Sequence, residues 1–168
     1  MDPATLRAFL STAAKLWLAH DGLWFQAVER RGGLELAMDC DRDAWERFSP
    51  IEARRIMGHL QLVPGGGLAA LALALGYRLY SHLNRQRIEW PASDRLVLTM
   101  ETCRVQDARC RRGLPDFPCK SIGIVEYETF ARTIDPRIHT RCLACPPDAR
   151  GEDRVCAWEF TLDPEPEA

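Results

Sequence analysis

Arg87-Ile88-Glu89-Trp90-Pro91-Ala92-Ser93-Asp94-Arg95-Leu96-Val97-Leu98-Thr99-Met100 is where the pattern of the chain changes. Ile88 and Trp90 alternate with Arg87 and Glu89; Leu96, Leu98 and Met100 alternate with Val97, Thr99 and Glu101. Successive side chains of a strand point to opposite faces, so this alternation predicts two half-buried strands. Pro91-Ala92-Ser93-Asp94 supplies the turn between them, and the stretch reads as a hairpin.

Before about residue 84 the periodicity is helical. Asp2 can accept hydrogen bonds from first-turn amides and Pro3 suits the first helical position. Leu6, Phe9, Leu10, Ala13, Leu16 and Trp17 then recur at helical spacing. Asp21-Gly22 is expected to bend this helix. Leu23, Trp24, Ala27 and Val28 extend its stripe until Gly32-Gly33 stops it. A second helix is expected over Leu34 to Phe48. Ser49-Pro50-Ile51-Glu52 has the form of a capping box and predicts a fresh start, with Ala53, Ile56, Met57 and Leu60 on one face. Pro64-Gly65-Gly66-Gly67 lacks the Lys-Ser/Thr of a phosphate loop and reads as a connector into a helix over Leu68 to Leu83. The apolar run Leu68 to Leu75 is far shorter than the ~20 residues that span a bilayer.

After the hairpin, Arg109 to Pro118 is rich in turns, and Ile122, Val125, Phe130 and Ala131 predict a helix over Lys120 to Thr133. Arg137 to Leu143 and Val155 to Leu162 read as two more strands. The fold class is α+β, with N-terminal helices packed on a small C-terminal antiparallel sheet. Residues 1–162 form one domain, and 163–168 are expected to be a disordered acidic tail.

The 168 residues are 46% hydrophobic and 27% charged, which suits a single core. Lys and Arg number 22 against 24 Asp and Glu, so no global field draws the chain to nucleic acid or anionic lipid. The seven cysteines are odd in number and follow no secretory leader, which points to a reducing cytoplasm and to thiolate chemistry.

Cys142-Leu143-Ala144-Cys145 is a C-x-x-C pair, a spacing that lets two sulfurs converge on one ion. With Cys119 upstream and Cys156 downstream, four thiolates become available for a closed tetrahedral site. Zinc suits such a set; an iron-sulfur cluster and plain buried or redox-paired thiols are the alternatives. Pro146-Pro147 directly after Cys145 argues against a thioredoxin-type redox helix.

This cysteine arrangement, between a helical N-half and a sheet-bearing C-half, resembles the four-vinyl-reductase domain, which shares the ligand-binding fold of nitric-oxide-signalling and Golgi-transport proteins. In that domain a glutamate stands where Cys142 falls. The segments CRVQDAR (103–109), GLPDFPCKSIG (113–123), TIDPRI (133–138), CPPD (145–148) and CAWEF (156–160) are similar to a cytosolic family related to 2-aminothiazoline-4-carboxylate hydrolases, as is the N-terminal LWLAHDGLWFQAVE. The resemblance covers most of the chain. It implies a zinc-binding, four-vinyl-reductase-like domain and a link to thionucleoside pathways of the albomycin type, where sulfur replaces a ring oxygen.

Cys40, Cys103 and Cys110 are left outside the metal set. Cys103 to Cys110 encloses Arg104 and Arg109, whose guanidiniums are expected to lower a neighbouring thiol pKa, which makes Cys103 and Cys110 candidate sulfur carriers. Arg104, Arg109 and Lys120 could clamp an anionic substrate group. Glu126 is the candidate acid–base residue, with Tyr127 and Asp135 as further candidates. Of the histidines, only His139 could approach the cysteines from its strand. Two or three of Trp17, Trp24, Trp45, Trp90 and Trp158 are expected to line a small-molecule pocket.

The reading that follows is a cytoplasmic metal-thiolate enzyme that transfers or inserts sulfur into a small heterocyclic or nucleoside-like substrate. The alternative is a non-catalytic, zinc-stapled ligand-binding or sensory module. The expected partner is a small molecule, without nucleic acid or membrane, and a homodimer is left open.

Overall fold

The computed structural model describes residues 1–148 and 155–163 of the chain. The expected acidic tail lies outside the described residues except for Asp163, which pairs with His139 at 2.6 Å. The elements in order are α1 (Pro3–Leu60), α2 (Gly67–Leu75), a 3-10 turn (Leu79–His82), β1 (Gln86–Ala92), β2 (Arg95–Met100), α3 (Arg104–Cys110), α4 (Lys120–Ile134), β3 (Ile138–Ala144) and β4 (Cys156–Leu162). The class is α+β with one four-stranded antiparallel sheet, as the sequence predicts.

Asp2 caps α1 by accepting from the amides of Ala4 and Thr5 at 2.9 and 3.0 Å. The helix passes through Asp21-Gly22 and breaks at Gly33, whose φ of 85° suits glycine and no other residue without strain. Its two arms fold back on each other, bringing Trp17 against Trp45 and Phe48 at 6.2 and 6.3 Å between ring centroids.

The predicted start at Ser49-Pro50 does not exist. Trp45, Ser49, Ala53 and Met57 recur every four residues and are all buried, so tertiary packing of this stripe carries the helix through Pro50 despite one missing amide. Instead of capping, the Ser49 hydroxyl is buried without a hydrogen-bond partner among the described residues, and Glu52 reaches Arg78 rather than the Ser49 amide. The helix expected to run to Leu83 ends at Leu75. Arg78 then takes an extended conformation that turns its guanidinium into the interior.

The hairpin forms as β1–β2, and Leu96, Leu98 and Met100 are buried on one face. The sheet order is β1-β2-β4-β3, so the last strand inserts between the hairpin and β3. Helix α4 lies on the inner face. At Gly123 a Cβ would come within 2.7 Å of the Trp158 ring, so the absence of a side chain is what lets helix and sheet approach this closely. Helix α1 covers the other side of α4, giving a sheet–helix–helix stack.

Gly65-Gly66-Gly67 is a connector, and its chemistry is settled by a carboxylate. Asp135, at the end of α4, accepts from the Gly67 amide at 3.0 Å and from Arg137 Nη2 at 2.8 Å. A side chain of the protein thus fills the anion position at the start of α2.

Candidate functional site

A cavity of about 720 Å³ opens between the first arm of α1, α3 with its following loop, α4 and the inner face of the sheet. Its walls are largely apolar and aromatic, with Phe25, Trp45, Tyr80, Tyr127 and Trp158 facing it, so two of the five tryptophans line it. Trp24 and Trp90 are exposed, and Trp17 packs behind Trp45. The Trp158 indole N–H is buried and has no acceptor among the described residues.

Cys103, Cys119, Cys145 and Cys156 reach the cavity from four element ends. Cys119 sits at the N-cap of α4, and its Sγ lies 3.5 Å from Cys145 Sγ. Gln106 fixes this corner. It is fully buried, its amide exchanges two hydrogen bonds with the Phe117 backbone (2.8 and 2.9 Å), and its Nε2 donates to Cys119 Sγ at 3.6 Å. Donation from Cys145, opposed by burial and helped by Gln106, lowers the pKa of Cys119. Cys145 moves up, because Cys119 and Cys156 both hold its proton and burial adds to this. The contact therefore favours the proton on Cys145 and negative charge on Cys119.

Four carboxyl groups line the cavity, Asp21, Glu29, Asp41 and Glu126. Burial, then repulsion from Asp21 and Glu126, pushes Asp41 up to about 7. Glu126 is also raised by burial, against the pull of Arg78. Arg78 is 2% exposed and binds Glu52 at 2.9 Å and Glu126 at 2.7 Å. The rings of Trp45, Tyr80, Tyr127 and Phe130 surround its guanidinium at 4.8 to 5.7 Å.

One family model, described as a family of unknown function (DUF6125), matches residues 3–162. The chain belongs to this family. No curated protein and no solved structure matches it.

In this DUF6125 member the structure divides the residues singled out from sequence. Cys103, Arg104, Arg109, Cys119, Glu126, Cys145 and Cys156 line the cavity; Cys110, Lys120 and Cys142 do not. The Cys103 thiol is pushed up to about 11 by burial, opposite to the lowering expected from its arginine neighbours. The Arg109 guanidinium is committed elsewhere, to the Pro115 carbonyl at 2.7 Å and the Phe117 ring at 5.9 Å. Cys110 is exposed on the far side of α3. Lys120 pairs with Asp148 at 2.8 Å, and Asp135 belongs to the α2 connector rather than to the site.

The four-cysteine set is not assembled as a ligand shell. Cys119 and Cys145 touch and Cys156 adjoins Cys145, while Cys142 stands on β3 beside Trp158, packed against the core. Among the described residues no group of three or more His, Cys, Asp or Glu side chains is placed to hold a metal ion. His139 pairs with Asp163, away from the thiols. Also among the described residues, no helix is long and apolar enough to cross a membrane.

Sequence reasoning missed Asp21, Asp41, Arg78 and Gln106. Asp41 lies in a run of alternating charge, and nothing local distinguishes it from Asp39 or Asp43. Arg78 did carry a signal, a lone cation directly after an apolar run.

Proposed function

We propose that this protein is a small-molecule enzyme of sulfur chemistry, with Cys119 as its nucleophile and a small heterocyclic or nucleoside-like compound as its substrate. The observation that carries this reading is the Cys119–Cys145 contact of 3.5 Å opening into an aromatic-walled cavity that also holds Asp41. The volume is within the roughly 300–1,000 Å³ range of small-molecule sites. Flat rings can pack against the Tyr127, Trp158 and Tyr80 side chains that line the cavity wall.

The chemistry follows from these groups. The Cys119 sulfur adds to an electrophilic ring carbon, forming a C–S bond. The electron pair of the carbon–nitrogen or carbon–oxygen bond moves to the heteroatom, which takes a proton from the Asp41 carboxyl. Water then adds to the same carbon and expels the Cys119 sulfur as a thiolate, returning a proton to Asp41, so the net reaction is hydrolysis of the carbon–heteroatom bond; a group that titrates near neutrality suits both transfers. Cys145 keeps the sulfur anionic before attack through its S–H donor. Resemblance to the 2-aminothiazoline-4-carboxylate hydrolase relatives and to thionucleoside pathways supports C–S and C–N bonds as the target, in the cytoplasm.

A second reading has a specific observation in its favour. Two sulfurs bound to one tetrahedral zinc at ~2.3 Å each stand about 3.8 Å apart, close to the Cys119–Cys145 separation. In that reading Cys119, Cys145, Cys156 and, after a shift of β3, Cys142 hold zinc or an iron-sulfur cluster. The metal then keeps its sulfur ligands deprotonated and staples the C-terminal sheet of a ligand-binding module.

One experiment separates the two. Metal analysis of protein purified without added metal is paired with mass spectrometry after a brief pulse of iodoacetamide at pH 7. The enzyme reading expects no stoichiometric metal and preferential labelling of Cys119, lost in Cys119→Ser while the fold persists. One metal per chain with Cys119 protected overturns it in favour of the second.

A further inference from the structure

The first arm of α1 turns Lys15, Leu18, Gly22 and Phe25 toward the cavity and carries a second apolar stripe beside them, whose Leu23 also reaches the cavity wall. Leu6, Phe9, Leu16, Leu23 and Trp24 are 51, 62, 66, 63 and 63% exposed. In an ordinary amphipathic helix such residues would be covered. Phe9, Leu16 and Leu23 follow one another at a seven-residue interval, and Leu6, Ala13, His20 and Ala27 precede and interleave them at the complementary heptad position. This is the seam of a coiled coil, with no Asp, Glu, Lys or Arg in it. The flanking Thr5, Thr12, Ala19 and Gln26 carry no positive charge either, which disfavours an anionic lipid surface.

We propose that this seam is the docking site of a second copy of the chain, packed antiparallel about a two-fold axis near Leu18. The order of side sizes along the seam selects this occupant. In antiparallel register, Phe9 meets Ala27 of the partner subunit, Leu16 meets His20 of the partner subunit, and Leu23 meets Ala13 of the partner subunit. Every layer then pairs a large group with a smaller one, as close packing requires. A parallel pair would stack Phe9 on its own copy and leave gaps at the alanine layers. The exposed stripe offers on the order of 700 Å² of surface, near the ~800 Å² that one partner contributes to a standard interface.

Sedimentation of the full chain at concentrations up to about 100 µM, a range that would populate even a weak dimer, tests the proposal. The expected mass is twice the 19.1 kDa of one chain. Leu16→Glu should dissociate the dimer by at least tenfold and leave circular dichroism unchanged, since Leu16 covers no core. The double variant Leu16→Glu with His20→Lys should restore dimerisation, because the antiparallel register sets the introduced carboxylate of each subunit against the introduced ammonium of the other in two symmetric pairs. A monomer at every concentration, a dimer unaffected by Leu16→Glu, or failure of the double variant to recover each overturns it. So does a monomeric chain that floats with phosphatidylserine vesicles, which would assign the seam to lipid.

Discussion

Two clusters of buried charge, Arg78 with its two glutamates and Asp135 with Arg137, hold the layers together and treat their carboxylates in opposite ways. Asp135 receives the Gly67 amide, the Arg137 amide and the Arg137 guanidinium, and these donors hold its carboxyl below the usual range. Glu126 pairs with Arg78, shares that cation with Glu52, and is raised by burial. The difference is donor supply. A carboxylate with three donors is a structural tie, whereas one that shares a single cation at a cavity wall keeps a proton within reach of chemistry.

The largest effect is expected from the poorer-supplied cluster. Arg78→Met leaves Glu52 and Glu126 buried without their cation and should cost about 3–5 kcal/mol, measured by urea unfolding at pH 7. A loss below about 1 kcal/mol would show that the glutamates are not held as ions by Arg78.

Asp135→Asn should cost about 1–3 kcal/mol at pH 7. The folded pKa of Asp135 is depressed, so its contribution is present above about pH 4 and is lost as pH falls through the lowered folded value. Wild type and variant should therefore converge in acid; a constant gap down to pH 2 would mean that the amide alone accounts for the loss.

Asp41 works with the opposite sign. Its folded pKa of about 7 exceeds the unfolded value near 3.8, so wild-type stability falls as pH rises between those values and then levels off. Asp41→Asn should remove that decline and leave the variant about 1–2 kcal/mol more stable at pH 8, with partial exposure limiting the gain. In the proposed reaction Asp41 protonates the leaving heteroatom, so the same variant should lose turnover. Parallel pH–stability curves for the two proteins would place the Asp41 titration elsewhere.

The smallest effects belong to residues outside both clusters and the cavity. Lys120→Ala and Cys110→Ser should leave the melting temperature and substrate affinity unchanged, and a clear loss of affinity in Lys120→Ala would return that residue to the site.

The fold was largely legible because it rests on local patterns. The alternation around Trp90 and Leu98 gave the hairpin, Asp2-Pro3 the start of α1, and Gly33 its break. The Ser49-Pro50 signal misled because a buried stripe with Trp45 and Met57 outweighs a missing hydrogen bond. At the site, the sequence marked Cys119 and Cys145, but it could not separate them from Cys142, which shares the same motif.

By itself, then, the sequence determined the elements and the residue types available for chemistry, since propensity, capping and periodicity act over a few positions. Only the tertiary structure decided which thiols meet, that Asp41 faces Glu126, and that Cys103 is raised rather than lowered. Those outcomes depend on burial and on charges brought together from distant segments, and neither is written in the spacing of neighbouring residues.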